Sequence, residues 1–219
     1  MNRRALILSV LAVGAAGFGS AAWYATRPAS TAEVSTVDST FAQALIRPHS
    51  PILGPKDAPV TIVEFFDPAC EACRAFHPIV KDIMKEHADT VRVVIRYTPL
   101  HGETSEVAVR ILEAARAQGK FEEVLNFILW SQPQWASHGK MNSDVLYRMA
   151  ISAGLDQETA RTQMQAPQTT RVLQQDLADV KTVGVRKTPT FFVNGKPLER
   201  FGEAELRALV ATEVAAVKG

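Results

Sequence analysis

The sequence predicts an α/β fold in which a βαβ unit and a ββα unit are separated by an all-helical block. Three observations carry this. Val60-Thr61-Ile62-Val63-Glu64-Phe65-Phe66 and Val91-Arg92-Val93-Val94-Ile95-Arg96-Tyr97 are short β-branched and aromatic runs on either side of a helical stretch, Glu71 to His87. From Pro99 to Gly184 apolar residues recur at helical spacing with no strand-like run between them. Phe191-Phe192-Val193, Asn194-Gly195 and Lys196-Pro197-Leu198-Glu199 then read as a hairpin. An Asn-Gly pair supplies the left-handed conformations that a two-residue turn needs.

The first run is mostly apolar, as a strand buried on both faces would be. The helix after it has apolar side chains at positions 72, 76, 79, 80, 83 and 84 and holds Pro78, which removes one helix hydrogen bond and bends the axis. The second run then pairs in parallel with the first. Helical periodicity follows near 103–118, 120–131, 143–153, 156–165 and 168–183. The breaks fall at Gly119, Gln132-Pro133, Gly139, Gly154 and Pro167. Trp130, Trp135 and Tyr147 are expected in the core of this block, the alternative being that some of them stand on a peptide-binding rim. His49, His87, His101 and His138 have no motif context and are assigned to loops or surface. A final amphipathic helix, Glu203–Val217, closes the domain.

The chain has 219 residues, 47% of them apolar and 21% charged, the composition of an ordinary globular protein. Its formal charge is +1, and without Arg3 and Arg4 it has 22 Lys and Arg against 23 Asp and Glu. A polyanion-binding domain needs a basic stripe, and there is none, so nucleic acid is excluded as a partner.

Residues 1–26 bear on the compartment. Arg3 and Arg4 precede an uncharged run from Ala5 to Thr26. Two readings fit: a signal peptide cleaved near Gly19-Ser20-Ala21 or Ser20-Ala21-Ala22, or an N-terminal membrane anchor with Trp23 and Tyr24 at the outer interface. Both place the remainder outside the cytoplasm, where disulfides persist. Residues 27–50, rich in Ser, Thr and Ala, read as a linker with a short helix around 41–46. The folded domain spans 51–219, with the helical block at about 100–184.

Cys70 and Cys73 are the only cysteines. A bridge three residues long stabilises little, so in an exported chain the pair reads as reactive. A Cys-x-x-Cys opening a helix after an apolar strand is a thiol–disulfide redox site. Cys70, at the first helical turn, is the nucleophile, because free N–H groups and the positive end of the helix dipole stabilise a thiolate. Cys73, one turn on and more buried, resolves the mixed disulfide. The competing readings are a structural pair, half a zinc site, or a non-enzymatic chaperone or metal-delivery module in which Cys70, Cys73 and His77 bind a soft metal such as Cu(I). Structural zinc takes four ligands, and there is no second Cys-x-x-Cys.

The element order and the placing of Cys-x-x-Cys and Thr188-Pro189 give a thioredoxin-like fold with an all-helical insertion between its βαβ and ββα halves. The chain resembles the DsbA-like branch of the thioredoxin superfamily, the exported thiol–disulfide oxidoreductases. The resemblance runs from Pro51 to Val217. It rests on Gly54-Pro55-Lys56-Asp57-Ala58-Pro59 leading through Glu64-Phe65-Phe66-Asp67 into Cys70-Glu71-Ala72-Cys73, on Arg96-Tyr97-Thr98-Pro99-Leu100, and on Gly184-Val185-Arg186-Lys187-Thr188-Pro189-Thr190-Phe191-Phe192. Glu71-Ala72 stands where the family usually has Pro followed by His or an aromatic residue.

The resemblance implies a cis Thr188–Pro189 bond facing the cysteines, with the Thr188 backbone pairing to extended substrate. It also implies that Glu64 relays protons to Cys73 from beneath the pair; a carboxyl group in an apolar strand has a raised pKa suited to that work. No organic cofactor or metal is needed. The partners implied are unfolded or cysteine-containing exported proteins and a membrane redox protein that recycles the pair, in a periplasmic or other extracytoplasmic setting. The direction of electron flow turns on opposing features. The helical insertion and the DsbA-like strand favour an oxidase. Glu71 opposes this with roughly 0.5–2.5 kcal/mol of repulsion on a thiolate at about 6–8 Å, and Thr188 is shared with the disulfide reductase and isomerase branch. Arg74, His77 and Lys187 are the cations placed to offset Glu71. Oxidase is the favoured direction.

Overall fold

Strand β2 (Val60–Phe66) is buried along its whole length and lies at the centre of a five-stranded sheet, as its near-continuous apolar run requires. It pairs in parallel with β3 (Val91–Tyr97), in register from Val60↔Val91 to Phe66↔Tyr97, and antiparallel with β6 (Thr190–Val193). β1 (Ile52–Leu53) pairs antiparallel with β3, and β7 (Lys196–Pro197) antiparallel with β6, giving the order β1-β3-β2-β6-β7. The expected hairpin is present: Asn194 at φ 48° and Gly195 at φ 81° make the turn between β6 and β7. This computed structural model describes residues 32–137 and 140–218. Among them no helix is long and apolar enough to cross a membrane. The leader expected at 1–26, and His138, lie outside the described residues.

Strand alternation decides what each face of the sheet carries. Ile62 and Phe66 of β2, with Val93, Ile95 and Tyr97 of β3, pack with Cys73, Phe76, Val80 and Ile83 of helix α2 (Glu71–Glu86). Glu64, in step with Ile62 and Phe66, is therefore on the face that α2 covers. Val63, Phe65, Val94 and Phe192 form the opposite face, packing with Leu45, Val180 and Phe41.

Two compact units divide at Ser39 and Thr40. Of the first, only Ala32–Ser39 is described, as the opening of helix α1 (Ala32–Leu45). Within the second unit, the last part of the expected linker is packed: Ala44, Leu45 and Ser50 are buried. Ser, Thr and Ala composition concealed an anchor that depends on a few apolar side chains and on a distant ion network.

That network is centred on Arg96, which alternation turns to the face opposite α2. The fully buried guanidinium donates to Asp176 Oδ1 at 2.7 Å, to Asp179 Oδ2 at 2.7 Å and to the Ala44 carbonyl. Arg47 closes on Asp179 at 2.6 Å, and His49 Nε2 lies 2.7 Å from Asp176 Oδ1.

The insertion consists of α3 (Glu103–Ala117), α4 (Phe121–Trp130), the single turn α5 (Gln132–Trp135), the two-residue strands β4 (Ala136–Ser137) and β5 (Lys140–Met141), α6 (Ser143–Ser152), α7 (Gln157–Gln165) and α8 (Pro167–Val183). The five periodic segments fall on α3, α4, α6, α7 and α8; α5, β4 and β5 are too short to show a period. Helix α8 ends where Gly184 turns left-handed at φ 77° and the Val185 N–H caps Val180 O at 2.9 Å. Helix α9 (Glu203–Lys218) closes the fold.

Trp135 is buried and donates its indole N–H to Ile128 O at 2.9 Å, and Tyr147 is half-buried. Trp130 corrects the expectation of a core tryptophan: it is 71% exposed. The buried face of α4 is built from Phe121, Val124, Leu125, Ile128 and Leu129. Trp130 falls off that face and lies tilted against Phe127, one turn back, with ring centroids 5.5 Å apart.

Candidate active site

The turn before α2 begins with Asp67-Pro68, a pair that favours a tight turn. Asp67 O accepts the Cys70 N–H at 3.1 Å, and Asp67 Oδ1 accepts the Ala69 N–H at 2.9 Å. The other carboxylate oxygen takes the Leu100 N–H at 2.7 Å, the His101 N–H at 3.2 Å and His101 Nδ1 at 2.6 Å, while Ser105 Oγ bonds Oδ1. This fully buried carboxylate ties the loop to the start of the insertion.

Cys70 occupies the N-cap of α2 in an extended conformation. Its sulfur lies 3.2 Å from Thr188 O, and the Thr188–Pro189 bond is cis. A hydrogen bond from the Cys73 thiol is the largest influence on Cys70; burial opposes it, and the Thr188 side chain with the N–H groups of Cys73 and Ala72 adds to it. Together they hold Cys70 down at about 5. Cys73 is completely buried, with the Asp67 N–H 3.5 Å from its sulfur. Burial pushes its thiol far up, and the bond to Cys70 and the charge on Glu64 add to the effect. Both cysteines are free thiols. The dithiol is thus asymmetric: charge on the Cys70 sulfur at the helix N-cap, a proton on the fully buried Cys73.

Glu64 is 2% exposed, and its Oε1 has no hydrogen-bond partner. Burial, and secondarily the charge on Cys70, raise its carboxyl to about 8. Burying an ionised, unpaired carboxylate here would be expensive, so the group holds its proton at neutral pH.

The structure therefore brings Cys70, Cys73, Thr188, Pro189 and Glu64 together. Glu71 is exposed on the first turn of α2, and Lys187 is exposed with its carbonyl accepting from Thr190 Oγ1 at 2.7 Å. His77 Nε2 engages Asn126 Oδ1 of α4 at 2.7 Å, and burial lowers its pKa. Among the described residues no group of three or more His, Cys, Asp or Glu could hold a metal ion. Arg74 is engaged by Gln132.

Sequence reasoning missed Asp67 and Gln132 as site residues. Asp67 had a signal, its Asp-Pro turn two residues before the motif. Gln132 lies 62 residues from Cys70 and had none.

A low-pKa thiol over a buried partner, facing a cis-proline loop, defines a dithiol–disulfide exchanger on a thioredoxin fold. The chain belongs to the thioredoxin family, whose profile, described as Thioredoxin, matches residues 47–211. A thioredoxin-like oxidoreductase from Silicibacter pomeroyi is similar at 32% identity and a TM-score of 0.68, over 83% of this chain and 96% of that one. Oxidised BdbD from Bacillus subtilis is similar at 25% identity and 0.66, over 76% and 93%. The Na(+)/H(+) antiporter NhaA of Herminiimonas arsenicoxydans is 32% identical over 168 residues, 77% of this chain and 26% of the antiporter. The chain thus spans about a quarter of the length of the curated relatives it matches.

Proposed function

We propose that the protein is an exported oxidase that donates its Cys70–Cys73 disulfide to cysteine-containing proteins. The observation that carries this reading is the place of Cys70 at the N-cap of α2 beside the Cys73 thiol, where its own thiol is held down at about 5. A stabilised thiolate favours the reduced form of the pair and so makes the disulfide a strong oxidant. The exposed Glu71 opposes that stabilisation.

In the exchange, a substrate thiolate attacks Cys70 Sγ, the S–S bond to Cys73 breaks, and Cys73 leaves with the electron pair. Glu64 supplies the proton that Cys73 takes up. A second substrate thiolate then attacks the substrate sulfur of the mixed disulfide, and Cys70 leaves as a thiolate. Two electrons pass from substrate to protein, and the substrate gains one disulfide. Thr188, beside the attacked sulfur, pairs its backbone with the extended substrate.

The compartment rests on Arg3, Arg4 and the uncharged run after them. Outside the cytoplasm a membrane redox partner reoxidises the pair, and the chain is either soluble or held by its N-terminus. Glutathione equilibration of the pair, read by thiol alkylation, tests the direction. An oxidase has a potential of about −120 to −180 mV. A value near or below about −230 mV assigns a disulfide reductase instead. Loss of exchange in Cys70→Ser tests the nucleophile.

A further inference from the structure

Gln132 is fully buried, yet it belongs to the helical insertion and not to the redox motif. Its side-chain nitrogen donates to the Pro68 carbonyl at 2.8 Å and to the Cys70 carbonyl at 3.1 Å. Its oxygen accepts from Arg74 Nε at 3.1 Å. A carboxamide has two N–H donors, and both are spent on backbone carbonyls at either side of the Cys70 N-cap. The opposite amide orientation would face an oxygen to two carbonyl oxygens and a donor to a guanidinium, so the network fixes the orientation.

Gln132 is itself held firmly. The Ser131 hydroxyl donates to Phe127 O at 2.8 Å, and the Trp135 indole donates to Ile128 O at 2.9 Å, which fixes α5 against the end of α4. The carboxamide therefore transmits the position of a rigid helix pair to the loop carrying the nucleophile.

We propose that Gln132 is a positioning residue for the redox pair, a clamp from the helical insertion that holds Cys70 where the N–H groups of Ala72 and Cys73 reach its sulfur. The proposal rests on the thiol–disulfide exchange reading of Cys70 and Cys73 but not on the direction of electron flow. The Cys70 carbonyl keeps its first helical bond, from the Arg74 N–H at 3.1 Å, so the clamp acts on the cap and not on the helix itself. Without it Pro68 O is left unpaired, Arg74 is released, and the N-cap residue gains freedom. The thiolate then loses part of its donor shell, whereas the disulfide, uncharged, is affected less.

The test is the difference between variant and wild-type protein in two measurements: the equilibrium constant with glutathione and the pH profile of Cys70 alkylation. Gln132→Met removes all three bonds at nearly constant volume. Gln132→Glu keeps the acceptor for Arg74 and removes both donors. Each should shift the equilibrium about tenfold toward the disulfide, about 30 mV by the two-electron relation, and move the alkylation profile upward by about one pH unit. Arg74→Lys preserves the charge, alters only a half-buried side chain and loses the Nε–H···Oε1 bond; a shift of about threefold in the same direction is expected. A lowered thermal midpoint with unchanged equilibrium and profile would show a merely structural role and overturn the proposal. If the Gln132 variants do not fold, an unshifted Arg74→Lys overturns it. The alkylation profile needs no exchange partner, so it stands even if the proposed oxidase activity fails.

Discussion

The sulfur of Cys70 lies 3.2 Å from the carbonyl oxygen of Thr188, a contact made across 118 residues of chain. The helical insertion accounts for most of that separation, and the parallel and antiparallel partners of β2 close it. β3 carries the chain out at one side of β2, and β6 returns it at the other. Cys70 and the cis-proline loop therefore meet at one end of the central strand, with Glu64 on that strand beneath the cysteine pair.

Cys70 should be alkylated as a thiolate with a midpoint near pH 5, far below an ordinary thiol at about 8.5. A group whose pKa is depressed by folding stabilises the folded state above its unfolded pKa, and the effect is lost as pH falls through the folded value. Only the reduced protein has this group free to ionise. The stability of the reduced form relative to the disulfide form should therefore decline between pH 8 and pH 4. Thermal unfolding of both forms across that range measures it, and parallel curves would contradict the thiolate.

Glu64 carries the opposite sign. Its folded pKa, about 8, lies above the ordinary carboxylate value, so the stability linked to it is fully present below about pH 4.5 and is lost as pH rises through 8. This one group should lower stability by about 1.4 kcal/mol per pH unit between those limits. Glu64→Gln should remove that slope and be more stable than wild type at pH 8. The same variant should slow the steps in which Cys73 gains or loses its proton by about tenfold or more. Denaturant unfolding at pH 5 and pH 8, with stopped-flow reduction of the disulfide, separates the two effects.

The sequence announced the parts of this molecule that repeat. Seven-residue β-branched runs, five helical periods and an Asn-Gly turn all rest on local patterns, and the sheet and insertion follow from them. The cysteines and the Thr-Pro were legible as motifs, and Glu64 as a carboxylate in an apolar strand. What stayed hidden depends on tertiary pairing. Asp67 and Gln132 gain their roles from donors and acceptors over thirty and sixty residues away, and Arg96 looked like one of two polar residues in a strand. Trp130 looked apolar enough for the core, but its angular position on α4 turned it outward.

Asp67→Ala should destabilise the fold and disturb the chemistry together. It would leave the N–H groups of Ala69, Leu100 and His101 and the Ser105 hydroxyl without their acceptor, at about 1–3 kcal/mol for each donor that stays buried. A total loss of about 3–5 kcal/mol is expected once water reaches the more exposed of them. The Asp67 N–H that faces Cys73 Sγ would move with the loop. Resolution of a trapped mixed disulfide on Cys70 should therefore slow in the fraction that remains folded. Destabilisation with an unchanged resolution rate would confine Asp67 to a structural part.

Arg96→Leu tests the network on the opposite face of the sheet. The two carboxylates of Asp176 and Asp179 are nearly inaccessible, and Arg96 is the cation that touches both. Removing one partner from a buried ion cluster leaves charge uncompensated and typically costs about 3–5 kcal/mol, more than the pair's net contribution when intact. Arg47 would still hold Asp179, and His49 would still face Asp176. The penalty should therefore fall mainly on Asp176, whose Oδ2 also accepts the Tyr97 N–H at 2.8 Å. Restoring an apolar neighbourhood with Asp176→Leu beside Arg96→Leu should recover part of the loss, because the uncompensated charge goes with it. Chemical denaturation of the two single variants and the double variant measures the coupling, and strictly additive losses would show that the network contributes no more than separate contacts. The Cys70 alkylation midpoint should remain near its wild-type value in all three, since the cluster lies across the sheet from α2.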